Sequence, residues 1–384
     1  MAELSDTPSA NRVRIAFFGL RNAGKSTLVN AIAGQEVAIV SDTPGTTTDP
    51  VSKAMEILPL GPCLITDTAG LDDVGALGAE RVRRTLDVLS TADVAVWVDA
   101  GGEMSDGEKK IFGDFAEECR RRSVEMVVHR RGETAQGLLE KLSSLKVRPE
   151  PGLLDGLVSS GDRVVCVCPI DESAPKGRLI LPQVQVLRAC LDVHATCAVC
   201  QPEELAGVLA TILPQGGEGC CLVITDSQAF SEVAKAVGPF RPRARITSFS
   251  MVFARQKGDL AAFMEGLRAA SSLKDGDTVL VAEGCTHHRQ CNDIGTVKIP
   301  AALSKLCGGK RLSFVFSSGG SFPVNEGEKP SLVVHCGACM LTRRAVLRRV
   351  ESCRLAGVPV VNYGMVLAAA NGLDVQQLCS VLCG

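Results

Sequence analysis

Aromatic residues are scarce in this chain. They make up 4% of it, with one tryptophan, Trp97, and one tyrosine, Tyr363. Few flat side chains are left on which nucleic-acid bases could stack. An excess of charge of one sign is missing too: the 384 residues balance to a formal −2. That is no footprint for a nucleic-acid binder. No stretch of about 18 consecutive apolar residues occurs, so no membrane-spanning helix is expected. The first residues, MAELSDTPSANR, lack the charged start and apolar centre of a secretory leader. Neither nucleic acid nor membrane is therefore expected as a partner. Cysteine, by contrast, is abundant at 17. Without an export signal such a count reads as reduced thiols with a subset on metal, in the cytoplasm or a reducing organelle matrix.

Histidine is also rare, with five in the chain. Three of the five stand beside cysteines near the C-terminus, in Cys285-Thr286-His287-His288 and His335-Cys336-Gly337-Ala338-Cys339. Cys336 and Cys339 have the C-x-x-C spacing that turns two thiolates onto one centre. Cys285 supplies a third thiolate. Three cysteines with an adaptable fourth ligand suit an iron–sulfur cluster with one replaceable corner. A Cys₃His zinc set is the other metal reading. A buried C-x-x-C with incidental histidines is the plain alternative.

At the other end, residues 12–18 read as a buried strand that runs into Gly19-Leu20-Arg21-Asn22-Ala23-Gly24-Lys25-Ser26. This is a complete G-x-x-x-x-G-K-S, and a helix from Thr27 follows. Strand, loop and helix in that order make the pattern a P-loop. The glycines let backbone N–H groups face phosphate oxygens, Lys25 reaches the β- and γ-phosphates, and the Ser26 hydroxyl ligates Mg²⁺. Downstream, Asp42-Thr43-Pro44-Gly45-Thr46-Thr47-Thr48-Asp49 resembles the switch I loop of translation-factor-like GTPases, which places Thr47 on the Mg²⁺. Asp67-Thr68-Ala69-Gly70 is a D-x-x-G element in which Asp67 holds Mg²⁺ through water and the Gly70 N–H senses the γ-phosphate. Leu71 stands where many GTPases carry a catalytic Gln. The chain is in this respect similar to GTPases that hydrolyse with a bound potassium ion, whose P-loop Asn corresponds to Asn22. The expected nucleotide-contacting set is Gly19, Asn22, Ala23, Gly24, Lys25, Ser26, Thr27, Thr46, Thr47, Asp67 and Gly70. Lys25, Thr47, Asp67 and Gly70 carry the hydrolysis, Ser26, Thr47 and Asp67 take Mg²⁺, and Asn22 takes K⁺.

The guanine-reading Asn-Lys-x-Asp is absent. After the strand predicted over 124–128 stands His129-Arg130-Arg131-Gly132. The aspartate that accepts from guanine is replaced by a glycine with no side chain. One helix, 134–145, fits before a Pro/Gly/Ser linker over 149–161. Two explanations fit: a diverged protein with relaxed nucleotide preference, or an incomplete gene model.

Beyond the linker, residues 163–167, 195–199, 221–225 and 245–249 read as strands between helices. This small α/β unit has no phosphate loop, and such modules often present a sheet edge to a twin subunit. Its Cys197-Ala198-Val199-Cys200 is expected to pack in the core rather than to bind metal. Strands over 278–281, 312–316 and 332–334 follow, with helices over 258–273 and 341–354. Both halves of the cysteine cluster then fall at strand C-termini, where α/β sheets bind ligands. Cys291, Cys307, Cys353, Cys379 and Cys383 read as packing or surface thiols.

With its Gly-Thr-Thr-Thr-Asp-Pro loop, central α/β module and C-x-H followed by H-C-x-x-C, the chain resembles the [FeFe]-hydrogenase maturation GTPases, the HydF family. The 47 residues between His287 and His335 suit that family's motif. The resemblance covers nearly the whole chain and fails over 129–160. It implies an α/β protein of three parts: a P-loop GTPase-like domain over 1–160, shortened after 128; a small dimerisation domain over 161–262; and a [4Fe-4S] cluster-binding domain over 263–384. It implies a scaffold that carries a transient diiron precursor to apo-[FeFe]-hydrogenase, with radical-SAM hydrogenase maturases as further partners, GTP/GDP as the switch and a homodimer as the assembly. Cys285, Cys336 and Cys339 would hold the cubane. His287, His288 or His335 would take the exchangeable fourth position, with His287 and His335 ranked first. The competing expectation is an Era/TrmE-like GTPase of RNA or ribosome maturation with a structural zinc site.

Overall fold

A computed structural model describes residues 9–34, 51–72, 76–145, 150–170, 177, 179–215, 219–284, 293–319, 322–324 and 327–382. Thr46, Thr47, Cys285, His287, His288 and Cys291 lie outside these residues. The chain divides into two compact units, Met1–Pro149 and Glu150–Gly384.

In the first unit β1 (Val13–Phe18) is followed by α1 (Lys25–Ala33), β2 (Val51–Ile57), β3 (Gly61–Asp67), α2 (Ala76–Leu89), β4 (Val94–Val98), α3 (Asp106–Arg121), β5 (Glu125–His129) and α4 (Ala135–Ser143). The sheet order is β2-β3-β1-β4-β5. All pairs are parallel except β2 with β3. Side chains alternate across a strand, so a central strand must be apolar on both sides. β1 sends Ile15 and Phe17 into one core and Ala16 and Phe18 into the other. β4 does the same with Val94, Val96 and Val98 against Ala95 and Trp97. α3 starts where Ser105 and Glu108 cap each other reciprocally. The sequence reading did not name β2, the antiparallel edge strand.

The second unit holds two four-stranded parallel sheets. The first comprises β6 (Arg163–Val167), α5 (Leu181–Asp192), β7 (Thr196–Cys200), α6 (Leu205–Ile212), β8 (Cys221–Thr225), α7 (Phe230–Val237) and β9 (Ala244–Ser248), with strand order β7-β6-β8-β9. After α8 (Phe249–Lys257) and α9 (Leu260–Ala270) come β10 (Thr278–Ala282), α10 (Ile299–Leu306), β11 (Ser313–Ser317), β12 (Leu332–His335), α11 (Arg343–Ala356), β13 (Val360–Asn362), α12 (Tyr363–Ala370) and α13 (Val375–Leu382). Their strand order is β11-β10-β12-β13. One continuous apolar core runs through both sheets and the helices between them. Gly266 of α9 lies so close to β13 that a Cβ there would run into the Val360 carbonyl.

One expectation needs correction and one needs sharpening. The stretch read as a linker over 149–161 buries Leu153, Leu154, Leu157 and Val158 in the core of the second unit. Its Pro and Gly residues punctuate turns, but the leucines between them have apolar surface to lose. Cys197 and Cys200 pack against that core but are only half-buried, because β7 is an edge strand; the Cys197 Sγ lies 3.6 Å from that of Cys166.

Candidate functional site

The P-loop leaves the C-terminal end of β1 and closes on α1. Gly24 has φ +90° and Asn22 has φ +58°, the left-handed backbone that the tight curl needs. Asparagine tolerates that conformation better than most residues, so Asn22 has a local structural reason to stand there. Gly19 lies against β4, where a Cβ would come within 2.6 Å of the Val98 carbonyl. The Lys25 Nζ donates to the Leu20 carbonyl at 2.8 Å and to that of Gly19 at 3.3 Å.

The D-x-x-G segment leaves the end of the neighbouring β3 and meets this loop directly. The Ser26 hydroxyl donates to Asp67 Oδ2 at 2.5 Å. Asp67 Oδ1 is buried and has no hydrogen-bond partner. A carboxylate oxygen left bare beside a hydroxyl is a donor set that suits Mg²⁺. Gly70 packs against the P-loop backbone, where a Cβ would stand 2.8 Å from Arg21 N. Asp72, which the sequence reading passed over, accepts from Arg21 N and ties the two segments together.

The base-reading end is built differently. At the end of β5 the ring of His129 is buried, its Nδ1 3.5 Å from Glu133. Glu133 is itself held by Lys141 at 2.7 Å through both carboxylate oxygens and by Arg130 N. Lys141 also donates to the Val128 carbonyl. Arg131 folds back onto the Ala100 carbonyl. Glu133, the nearest carboxylate after Gly132, is therefore already engaged.

The cysteine site lies at the C-terminal ends of β10 and β12, which pair in parallel with Ala282 opposite His335. Just beyond them the Gly284 N–H donates to the Cys336 Sγ at 3.1 Å, and the Ala338 N–H donates to the same sulfur at 3.4 Å. Ala338 has φ +57°, which turns Cys339 back beside Cys336. Cys285 is the next residue after Gly284. Burial pushes the Cys336 thiol up, against the pull of those two N–H groups and Arg349. It pushes Cys339 up to about 11, with the Cys336 charge adding to it and Lys257 opposing. Such thiols ionise readily only when a metal takes the place of the proton. A sulfur that accepts two backbone N–H groups, beside a glycine next to Cys285, suits a thiolate-bound centre.

His335 has other employment. Its ring is buried, with Nδ1 2.8 Å from the Cys336 carbonyl. A carbonyl only accepts, so Nδ1 carries the proton. Nε2 then accepts from Arg349 Nη1 at 3.2 Å. Burial, and next the Arg349 charge, pull the ring down to about 4 and keep it neutral. Neither nitrogen is free for a metal in this arrangement.

Two cations that the sequence reading missed wall the site. Arg349 of α11 reaches His335 and the Gly319 carbonyl, and its guanidinium lies over the Phe322 ring at 5.0 Å. Lys257, the last residue of α8, is 1% exposed and donates to the Ala338, Cys339 and Leu341 carbonyls. Burial lowers Lys257 to about 8, with the Cys339, Glu150 and Cys336 charges pulling it back up.

Family models match three successive stretches of the chain. Residues 14–130 match the 50S ribosome-binding GTPase family. Residues 153–258 match the Hydrogen maturase F dimerization domain and 261–378 the Hydrogen maturase F tetramerization domain. The last two tile the second unit almost without a gap. The chain belongs to the hydrogen maturase F family. It has an N-terminal P-loop GTPase domain, a central dimerization domain and a C-terminal domain of mixed α/β structure.

Curated relatives match part of this HydF chain. A tRNA modification GTPase MnmE of Phenylobacterium zucineum is 45% identical over 108 residues, 27% of this chain and 24% of the relative. A GTPase Der of Wolinella succinogenes is 40% identical over 115 residues, 29% and 24% of the two chains. The chain thus spans about a quarter of the length of these relatives. The solved structure of a tyrosine-to-alanine variant of Aquifex aeolicus Era bound to GDP.AlF4- aligns over 79% of this chain and 93% of its own at 17% identity, with a TM-score of 0.25. Among the described residues no helix is long and apolar enough to cross a membrane.

Proposed function

We propose that this HydF chain is a metallocluster scaffold and carrier driven by a nucleotide switch. Cys285, Cys336 and Cys339 hold a [4Fe-4S] cluster, and the cargo is a diiron precursor delivered to apo-[FeFe]-hydrogenase. The observation that carries the reading is the contact of Gly284 N–H with Cys336 Sγ, which holds the residue just before Cys285 against the C-x-x-C turn. When bound, the cubane would supply a fourth iron corner not held by cysteine, where cargo can attach and leave. The chain's own part is to fix Cys336 and Cys339 on one turn, shield them from water and keep His335 neutral. With His335 engaged on both nitrogens, His287 and His288 are the first candidates for the fourth position. Radical-SAM maturases load the cargo in this reading, and the assembly is at least a homodimer.

The nucleotide end works as a GTPase in the same reading. Lys25 releases its loop carbonyls to take the β- and γ-phosphates, Ser26 and Asp67 hold Mg²⁺ with Thr47, and the Gly70 N–H reports the γ-phosphate. Leu71 cannot orient water; Asn22 would hold a potassium ion, which would supply the missing positive charge. The alternative of RNA or ribosome maturation is supported by the N-terminal likeness alone.

Anaerobic reconstitution tests the proposal. The full chain should bind iron and sulfide and turn brown. Cys336→Ala should retain only a small fraction of that iron with its nucleotide hydrolysis unchanged. A colourless protein with stoichiometric zinc, or a Cys336→Ala chain with undiminished iron, would sink it.

A further inference from the structure

We propose that Lys257 is a positioning residue and fixed counter-charge for the thiolate site, through which the module before it holds the C-x-x-C loop of the module after it. The inference rests on the reading of Cys336 and Cys339 as metal ligands.

All three donors of the ammonium go to one loop. Its Nζ lies 3.1 Å from the Ala338 carbonyl, 3.4 Å from that of Cys339 and 2.7 Å from that of Leu341. These carbonyls line the turn from Cys336 into α11. The aliphatic stem is buried, and the Phe253 ring lies 5.2 Å from the nitrogen. Taking an ammonium out of water is costly unless charge or dipoles answer it. Here the answer among the described residues is three carbonyl dipoles, the two thiols and the Glu150 charge, which acts without a contact at ion-pair distance. A methionine would fill a similar volume at no such cost. The position therefore uses charge. A cubane on three thiolates is a net anion in its oxidised and its reduced form, and the reduced form is the more negative. A buried cation beside Cys336 and Cys339 stabilises both forms, and the reduced one more.

Contact between α8 and the loop continues along the helix. A Cβ on Gly337 would stand 3.2 Å from the Ser250 side chain. Arg343, at the start of α11, donates back to the Gln256 carbonyl. α8 belongs to the stretch matched by the dimerization domain, and the loop to the stretch matched by the tetramerization domain. A shift of α8 relative to β12 would therefore move two of the three thiolates. The geometry makes Lys257 the point where the state of the central module reaches the ligands.

The test uses full-length wild type, Lys257→Gln, Lys257→Met and Gly337→Ala, each reconstituted anaerobically. Three quantities are read: iron retained under chelator challenge, the reduction midpoint of the retained cluster, and the melting of the metal-free chain. Lys257→Gln keeps a donor for two of the carbonyls and carries the test if Lys257→Met fails to fold. Both Lys257 variants should lose iron about ten-fold faster than wild type, the scale on which groups bracing metal ligands act. Both should also move the midpoint to a more negative potential. Gly337→Ala should speed iron loss without moving the midpoint, since it disturbs position and leaves the charge. If Lys257→Gln melts like wild type and keeps its midpoint and its iron, Lys257 is a core residue only and the inference falls. Wild type without iron and sulfide would overturn the cluster reading instead. If the thiolates then hold zinc, a zinc affinity equal in wild type and Lys257→Gln overturns the inference, and a ten-fold loss supports it.

Discussion

Two loops of this protein share a device. The P-loop and the C-x-x-C turn each leave the C-terminal end of a parallel strand, and each is pinned by a buried lysine that donates to its backbone carbonyls. Lys25 holds Gly19 and Leu20. Lys257 holds Ala338, Cys339 and Leu341. The difference is where the lysine comes from. Lys25 lies five and six residues from its acceptors, in the same motif. Lys257 lies 81 to 84 residues from its own, on another helix. The first lysine is free to leave its carbonyls when phosphate offers more charge, because the loop still has its own backbone N–H groups and α1 to shape it. The second is part of a packed seam and has nowhere to go. One loop is built to exchange its ligand, the other to keep its shape around one.

The largest effect should break this comparison on the nucleotide side. Lys25→Ala removes the cation aimed at the transferring phosphoryl group, and such donors are worth about 100- to 1,000-fold in rate. Hydrolysis in Lys25→Ala should fall by that order in a phosphate-release assay, while iron content stays at the wild-type level. Iron loss in Lys25→Ala would mean that the two loops do not hold their ligands independently.

A smaller effect sharpens the thiolate side. Arg349→Gln leaves His335 Nε2 without its donor and the Gly319 carbonyl without its own. Lost hydrogen bonds to a buried charged group cost about 1.5–3 kcal/mol each. The second unit should lose a few kcal/mol in denaturant melts, the first unit none. His335 then has a free nitrogen. A changed spectrum of the bound centre in Arg349→Gln would show that Arg349 is what keeps His335 from the metal.

The same contrast explains what could be read in the chain before its fold was in hand. β1, the P-loop and the D-x-x-G element were legible because their chemistry is contiguous. The position of Cys336 at a strand end was legible for the same reason. Lys257 and Arg349 were not, because their partners lie far off in sequence. They did leave a mark. On α11 the buried positions are Val346, Arg349, Val350 and Cys353, and on α8 they include Val252, Phe253 and Lys257. A charged residue at helical spacing within an apolar face is the signal for a buried, partnered cation. β2 has no range in the sequence reading, although Met55 and Ile57 alternate with Glu56 as an edge strand should. The leucines of 153–158 were hidden by the Pro and Gly around them.

The base-reading end lies between these extremes and should give a modest effect. With Gly132 where an acceptor is needed, and Glu133 engaged by Lys141, guanine should be preferred over adenine weakly. ATP should compete with GTP within about ten-fold, a free-energy difference near 1.4 kcal/mol. Gly132→Asp restores the acceptor and should widen that gap. Gly132 has φ +90°, a conformation aspartate tolerates better than most residues, so the variant should fold at a small cost. Tight, exclusive guanine selectivity in wild type would show that another segment supplies the contact.

The smallest effect is set by His129. Burial lowers its pKa below the ordinary 6.5, Glu133 works against this, and the Lys141 charge works with it. A histidine depressed in the fold binds its proton less readily than in the unfolded chain. Between the folded value and about 6.5 the unfolded chain therefore carries more protons, and stability rises with pH. Above 6.5 the contribution is complete, and it is lost as pH falls below that value. The first unit of wild type should thus melt at lower denaturant at pH 5.5 than at pH 7.5. In His129→Gln, which cannot titrate, that slope should flatten. An unchanged slope would place the pH dependence on other groups, and the base-reading end would then be held by the Glu133–Lys141 pair without help from the ring.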